Sequence, residues 1–207
     1  MEILRFKHWI VLIILMIAVT RPVLAQDNLT QAFGDSYALE KKGDYAGAIA
    51  KIKAVYSESS YEMNLRLGWL SYQSGQFYES IGFYNKAITL MPYGIEARFG
   101  LAYPVYALGK IDEIVTIYEK ILEIDPQNTL AHYRLGYIEY NRSKFEVAES
   151  HFEKVVNLFP FDYDSVIMLA WSKFKLQKYK EAKVLFNKAL LYNPDSESAK
   201  EGLGLIK

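Results

Sequence analysis

A proline recurs every 34 residues through much of this 207-residue chain. The interval holds for four prolines in succession: Pro92, Pro126, Pro160 and Pro194. Apolar residues keep the same interval, for example Leu67, Leu101, Leu135 and Leu169. A fixed period of this length is the mark of a repeat protein, in which each repeat packs mainly against its neighbours. The period therefore constrains the fold more than any single motif does.

Each 34-residue repeat predicts two helices separated by a short turn. In residues 61–94, apolar side chains recur three and four residues apart on both sides of Ser74 and Gly75, which is the spacing of one helix face. The closing proline disfavours helix in the residue before it and suits the first turn of the next helix. Small residues such as Gly68 and Ser80 let paired helices approach closely. The sequence therefore predicts an all-α chain of stacked helical pairs.

The composition excludes several classes of protein. Lys+Arg and Asp+Glu number 24 each, so the chain lacks the basic excess of a nucleic-acid-binding surface. Without cysteine it has no disulfide, thiolate metal site or cysteine nucleophile. Its three histidines, His8, His132 and His151, lack the spacing of a zinc-binding helix, and no phosphate-binding loop or serine nucleophile elbow occurs. We therefore expect a non-enzymatic protein without a cofactor, metal or nucleic-acid partner.

Residues 1–25 have the pattern of a secretory signal peptide. A basic start precedes an apolar run of 11 residues (9–19), and residues 23–25 offer the small side chains of a cleavage site. The run is shorter than the ~20 residues that span a bilayer, which favours cleavage after Ala25 over an uncleaved membrane anchor. We expect a mature chain of residues 26–207 that is exported, to the periplasm or as a secreted protein, and has no stable membrane span.

The repeat resembles the tetratricopeptide repeat. In residues 61–94 the matching positions are Leu67 and Gly68, then Gly75, Gln76 and Phe77, then Ser80, Ile81, Tyr84, Ala87, Ile88 and Pro92. Five repeats fit in phase over nearly the whole mature chain: 29–60, 61–94, 95–128, 129–162 and 163–196. Residues 197–207 are expected to form a short capping helix, with Asp195 or Ser196 at its N-cap. The resemblance implies a right-handed α-solenoid whose first helices line a concave binding surface.

The resemblance also implies which side chains face that surface. Positions 5, 9 and 12 of each repeat form one stripe on the first helix, because they are four and three residues apart. Position 9 is aromatic in all five repeats, where the family typically has a polar residue: Tyr37, Trp69, Tyr103, Tyr137 and Trp171. Six further aromatic residues lie at positions 5 and 12: Tyr72, Phe99, Tyr106, Tyr133, Tyr140 and Phe174. Because such side chains dominate binding hot spots, we expect these eleven to contact a partner.

A second interpretation of the position-9 residues places them in the core. Polar residues such as Asn64, His132 and Lys173 stand at the usual core positions of the first helices. They would fit a rotated first helix, which carries the position-9 rings into the joint between neighbouring helices. An intermediate arrangement has packed ring bodies and exposed polar tips. Separately, Pro104 stands off the 34-residue interval and predicts a local kink in its helix.

These features indicate an interaction scaffold that binds a peptide segment of another protein on its aromatic concave face. The alternative is a self-associating structural component of a cell-envelope assembly, and a regulatory subunit of an enzyme is less favoured. Family members that grip a terminal carboxylate use lysine, arginine and asparagine in the groove, and here the matching cations are Arg66 and Arg134. We therefore disfavour recognition of a terminal carboxylate, and for Arg66, Arg98 and Arg134 we favour salt bridges to Glu62, Glu96 or Asp164 over the orientation of an acidic group on a ligand.

Overall fold

The structure is a computed structural model that describes residues 27–206. Over this range the chain forms eleven α-helices and no strand, as the repeat pattern predicts. The expected signal peptide lies outside the described residues. The described chain divides into two compact units, which we call the N-terminal unit (residues 27–108) and the C-terminal unit (residues 109–206).

The N-terminal unit contains five helices. These are α1 (residues 27–40), α2 (Tyr45–Lys53), α3 (Tyr61–Gln73), α4 (Phe77–Leu90) and α5 (Glu96–Ala107). Helix α3 packs against α2, α4 and α5, and α4 also packs against α5. The buried core joins α2 to α3 through Ala48, Ile49, Ile52, Met63, Leu67 and Leu70. Each helix therefore contacts its neighbours in sequence, as expected for stacked pairs.

The C-terminal unit contains six helices. These are α6 (Ile111–Ile124), α7 (Thr129–Asn141), α8 (Phe145–Leu158), α9 (Tyr163–Lys175), α10 (Tyr179–Tyr192) and α11 (Glu197–Leu205). Helices α8 to α11 share a core in which Phe152 and Phe186 are completely buried. The short helix α11 is the expected cap: it buries Ala199, and Leu203 and Ile206 pack against this core. The chain is thus an α-solenoid of helix–turn–helix repeats closed by a capping helix.

The first helices α3, α7 and α9 and the capping helix α11 begin at a side-chain cap, whereas α5 begins after Ile95 without one. Ser60, Asn128, Asp162 and Ser196 each accept a hydrogen bond from the backbone N–H three residues ahead. Of the two caps expected for α11, Ser196 is the one used. The second helices α4, α6, α8 and α10 have no such cap and begin after a tight turn. The turn residue has positive φ, and in the last two repeats it is Ser143 and Gln177 instead of glycine.

Glycines in the first helices receive aromatic rings from the second helices. The ring of Tyr84 lies over Gly68 in the preceding helix and over Gly100 in the following one, so a Cβ at Gly100 would overlap the ring. In the same way, Phe186 lies against Gly202 of α11. These contacts fix how closely neighbouring helices approach, because any side chain at the glycine would separate them.

The first helices are not rotated. The polar residues at their usual core positions are themselves buried: Asn64, Ser71, His132, Glu139 and Lys173. Asn64, for example, accepts a hydrogen bond from the Tyr56 hydroxyl at 2.8 Å and donates to the carbonyls of Glu58 and Ser60. The usual register therefore holds, and the rotation that would have moved the position-9 rings into the core is wrong. Hydrogen bonds and ion pairs offset the cost of burying Asn64, His132 and Lys173, whereas the buried hydroxyl of Ser71 has no hydrogen-bond partner among the described residues.

Helix α5 continues through Pro104, which is buried, and the backbone N–H of Leu108 donates to its carbonyl at 3.1 Å. The kink at this proline stays a prediction. Within residues 27–206, none of the helices has both the length and the apolar content that crossing a membrane would require.

Candidate functional site

The first helices of the N-terminal unit enclose a cleft of about 780 Å³, which we call the first-helix cleft. Four of the predicted partner-binding residues line it: Tyr37 from α1, Trp69 from α3, and Phe99 and Tyr103 from α5. The remaining lining residues are Phe33, Tyr61, Glu62, Leu65, Arg66, Tyr84, Met91, Glu96 and Gly100. The cleft is therefore mainly aromatic, with three charged side chains among its walls.

Tyr103 lies in a cluster of aromatic rings at this cleft. Its ring centroid is 6.0 Å from that of Trp69, edge to face, and 5.5 Å from that of Tyr72. Tyr103 nevertheless keeps 49% of its surface exposed, and Tyr106, one turn further along α5, keeps 70%. Aromatic pairs at these distances are stabilising, so Tyr103 is held in place while half of its surface faces solvent.

Trp69 uses its polar atom inside the protein. Its indole Nε1 donates to Glu40 Oε1 at 2.6 Å, and Glu40 also forms an ion pair with Arg66 at 2.6 Å. Burial, which would raise the pKa of Glu40, is outweighed by the hydrogen bonds from Trp69 and Arg66, and the pKa lies below its ordinary value. Trp69 is therefore a fixed wall of the cleft and offers no free indole donor to a ligand.

Arg66 is buried in the same network. Its guanidinium donates to Ser36 Oγ at 3.0 and 3.1 Å and stacks on the ring of Tyr37 at 3.9 Å. Its ionic partner is Glu40, which is none of the three carboxylates expected from the sequence. Arg66 therefore fixes the position of Tyr37, and its charge is compensated within the wall of the cleft.

The aromatic stripe of the C-terminal unit is packed more deeply. Its five members are Tyr133, Tyr137, Tyr140, Trp171 and Phe174. Burial raises the pKa of both Tyr133 and Tyr140. The indole of Trp171 donates to Ser198 Oγ in α11 at 2.8 Å, and its ring meets Phe186 edge to face at 5.0 Å. Of these five, Tyr137 alone is largely exposed, at 49% of its surface.

The position-9 residues thus divide by residue type. The three tyrosines, Tyr37, Tyr103 and Tyr137, are each about half exposed. The two tryptophans are partly buried, and their indole donors bind Glu40 and Ser198. The exposed polar tips of the intermediate arrangement therefore do not describe the tryptophans. Ligand contact by any of the eleven residues stays a prediction.

A second cleft, also of about 780 Å³, lies in the C-terminal unit between α7 and the α8–α9 connection. Exposed apolar residues surround it: Leu130, Leu158, Phe159 and Phe161, the last with 79% of its surface exposed. Sequence reasoning missed this apolar edge. The available signal was the run of residues 158–161, where two phenylalanines flank the repeat proline at a position that the helical pattern leaves outside the core.

The C-terminal unit also contains a histidine pair. His132 Nδ1 and His151 Nδ1 are 2.9 Å apart, and His132 Nε2 is 3.1 Å from the carbonyl of Pro126. A carbonyl only accepts, so His132 carries its proton on Nε2 and accepts at Nδ1 from His151. Burial and the neighbouring His132 lower the pKa of His151 to about 4. Both rings are therefore neutral at neutral pH.

Lys173 is the centre of a buried charge network. Its Nζ lies 2.5 Å from Glu149, 2.9 Å from Glu153 and 2.7 Å from Glu181. Lys178 forms a second ion pair with Glu149 at 2.7 Å. Burial, which would lower the pKa of Lys173, is outweighed by these hydrogen bonds, so the pKa is raised. The network joins α8, α9 and α10 and is structural. In the described part of the chain, no group of three or more histidine, aspartate or glutamate residues is placed to hold a metal ion.

Several solved structures resemble this one. A tetratricopeptide repeat protein from Parabacteroides merdae is 20% identical with a TM-score of 0.73, covering 86% of this chain and 71% of its own. MamA from Desulfovibrio magneticus RS-1 is 17% identical with a TM-score of 0.68, covering 83% and 98%. YrrB, described as a TPR protein with an unusual peptide-binding site, is 15% identical with a TM-score of 0.68, covering 90% and 97%. At these identities the likeness concerns the fold.

Two segments of the sequence match family models of the tetratricopeptide repeat, residues 34–95 and residues 163–196. No curated protein sequence matches the chain. One matched segment lies in each unit. Residues 163–196 contain the helical pair α9 and α10, and residues 34–95 contain helices α2, α3 and α4. On these segments and on the fold, the chain belongs to the tetratricopeptide repeat family.

Proposed function

We propose that this protein is a non-catalytic interaction scaffold that binds a peptide segment of a partner protein in the first-helix cleft. Tetratricopeptide repeats form a scaffold for protein–protein interaction, and the described peptide-binding site of YrrB is consistent with such a role. The signal-peptide pattern of residues 1–25 supports a location outside the cytoplasm.

The main support for the proposal is that Tyr103 is exposed although neighbouring aromatic rings hold it in place. Half of its surface faces solvent, although Trp69 and Tyr72 hold the ring. A ligand that covers Tyr103 therefore gains apolar burial without ordering a mobile side chain. Tyr37, stacked on Arg66, offers a second such ring across the same cleft.

The test is Tyr103→Ala in affinity capture from extracts of the source cell. The matched control is Tyr78→Ala, because Tyr78 is 74% exposed on α4 and does not line the cleft. A hot-spot tyrosine contributes about 2 kcal/mol or more, so Tyr103→Ala should weaken a genuine partner at least about 30-fold. Partners that bind the native chain and the Tyr78 variant but not the Tyr103 variant support the proposal. Equal capture by all three proteins refutes it.

Self-association is the competing proposal, and the exposed apolar edge of the C-terminal unit favours it. Leu130, Phe159 and Phe161 lie around one cleft and are each about half or more exposed, and contiguous exposed apolar residues are typical of interaction sites. Sedimentation velocity over a range of concentrations tests it. A dimer that Phe161→Ser dissociates supports self-association, whereas a monomer at all concentrations excludes it.

A further inference from the structure

We propose that the first-helix cleft selects a partner segment that carries a lysine or arginine side chain beside apolar residues. This inference rests on the proposed function and specifies the chemistry of its ligand. It follows from the charges that line the cleft and from the rings between them.

Two carboxylates in the cleft have no ionic partner among the residues that the structure describes. Glu62 and Glu96 lie in the first turns of α3 and α5, and both are exposed lining residues. Glu62 accepts a hydrogen bond from the neutral hydroxyl of Ser60 at 2.9 Å. Within residues 27–206, neither carboxylate has a cation within salt-bridge distance. The cleft therefore presents two negative charges to a ligand.

The cations nearby do not cancel these charges. Arg66 is the one cation among the described lining residues, and it is 6% exposed and paired with Glu40. Arg98 follows Glu96 on α5, but its guanidinium donates to the carbonyl of Gly94 at 2.7 Å and does not line the cleft. The charge balance at the surface of the cleft is therefore negative.

Tyr61 lines the cleft, and burial and the negative charges of Glu96 and Glu62 raise the pKa of its hydroxyl, whereas the backbone of Ala97 and the charge of Arg98 act in the opposite direction. Each carboxylate acts more strongly on this hydroxyl than Arg98 does. A ligand cation at this point gains attraction from two directions, and a ligand carboxylate is repelled from both.

The aromatic walls add attraction for the same kind of ligand. A guanidinium or ammonium group over the face of a tyrosine, tryptophan or phenylalanine ring is attracted by the negative charge of that face. The cleft already contains this geometry, where Arg66 lies 3.9 Å from the ring of Tyr37. The rings of Phe99 and Tyr103 line the same cleft and take the apolar residues next to the ligand cation. The site thus favours a positively charged ligand group, whereas a groove that binds a terminal carboxylate favours a negatively charged one.

The test is a selection of random dodecapeptides displayed on phage against the immobilised full-length chain. Enriched peptides are synthesised twice, once as selected and once with every lysine and arginine replaced by glutamine. Fluorescence anisotropy then measures the affinity of both versions for the native chain and for Glu62→Gln/Glu96→Gln. The matched control is Glu119→Gln/Glu123→Gln, which changes net charge equally on the exposed surface of α6.

We expect the selected peptides to carry lysine or arginine next to apolar residues. Replacing those cations, or neutralising Glu62 and Glu96, should each weaken binding about 10-fold or more, and the control variant should bind normally. Urea unfolding of the double variant verifies that it is folded.

The outcomes separate this inference from the proposed function. Peptides that need Tyr103 but bind the Glu62→Gln/Glu96→Gln chain unchanged overturn the inference and leave the proposed function standing. A selection that yields no peptide sensitive to Tyr103→Ala overturns the proposed function, and the inference falls with it.

Discussion

Acidification should destabilise the folded chain through His151. Burial and the nearby His132 lower its pKa from 6.5 to about 4, with Lys154 acting in the same direction and Glu139 in the opposite one. The unfolded chain therefore takes up this proton near pH 6.5, while the folded chain takes it up near pH 4. The folded state has its full stability above pH 6.5 and loses stability as the pH falls toward 4.

The size of the effect follows from the same two values. One unit of pKa difference corresponds to about 1.4 kcal/mol, so a difference of about 2.5 units sets an upper bound of about 3.4 kcal/mol. The ring of His151 is partly exposed, and solvent screening reduces this figure. We therefore expect the free energy of unfolding to fall by about 2 kcal/mol between pH 7 and pH 4 because of this residue.

Urea unfolding of the native chain and of His151→Gln at several pH values measures this contribution together with the coupled titration of His132, because His132 contacts the replaced ring. The glutamine amide can still donate to His132 Nδ1, but it does not titrate. The variant should therefore gain about 2 kcal/mol relative to the native chain as the pH falls from 7 to 4. Ser150→Ala, an exposed change on the same helix, should leave the pH profile unchanged. A constant difference between native chain and His151→Gln at all pH values would refute the reasoning.

Two further predictions concern stability: the first tests the packing of a ring against a glycine, and the second tests the charge network of Lys173. Gly100→Ala should destabilise the chain by about 1–3 kcal/mol, because the new Cβ overlaps the ring of Tyr84, whereas Gly82→Ala, with open space around its Cα, should stabilise it by about 0.5–1 kcal/mol. Equal effects in urea unfolding would show that Tyr84 moves aside. Lys173→Met should cost about 2–4 kcal/mol, because Glu149 stays buried with one of its two cations removed. Denaturant unfolding measures this loss, and an unchanged midpoint would contradict the role of the network.

Much of the fold was predictable from the 34-residue period. The prolines mark the ends of the second helices: α6 ends at Ile124 before Pro126, and α8 ends at Leu158 before Pro160. This works because repeats bury the same face in each copy, so that one local pattern specifies each helical pair. The capping helix was predictable for the same reason, since it begins as a further copy.

The candidate site was only partly predictable. The period places Trp69 and Tyr103 at the same position of neighbouring repeats, and both line the first-helix cleft. It does not show that Trp69 binds Glu40, which lies 29 residues earlier in the chain. Such a bond depends on the length and rotamer of both side chains. The 34-residue period gives no information about side-chain rotamers or about which side chains reach each other.

The polar core residues show the same limit. In the sequence, Asn64, His132 and Lys173 favour a rotated helix, because an unpaired polar group is costly to bury. Each has partners in the structure, such as Glu149 for Lys173 and His151 for His132. A sequence pattern weighs hydrophobicity position by position, whereas the cost of burial depends on the pairing of groups.

The contact between aromatic ring and glycine has a consequence for the order of the repeats along the chain. Tyr84 requires glycine at position 6 of the next repeat, where Gly100 stands, and Phe186 meets Gly202 at the equivalent place. The same position in the repeat that starts at residue 129 is Arg134. That repeat follows Tyr118, which holds the place of Tyr84 in its own repeat, so an aromatic ring at this place does not always face a glycine. Deleting residues 95–128 in frame would put Tyr84 before a repeat that lacks this glycine, and its ring would have to adopt another position. A shuffled or duplicated module therefore keeps this close contact only where the following repeat supplies a glycine at position 6.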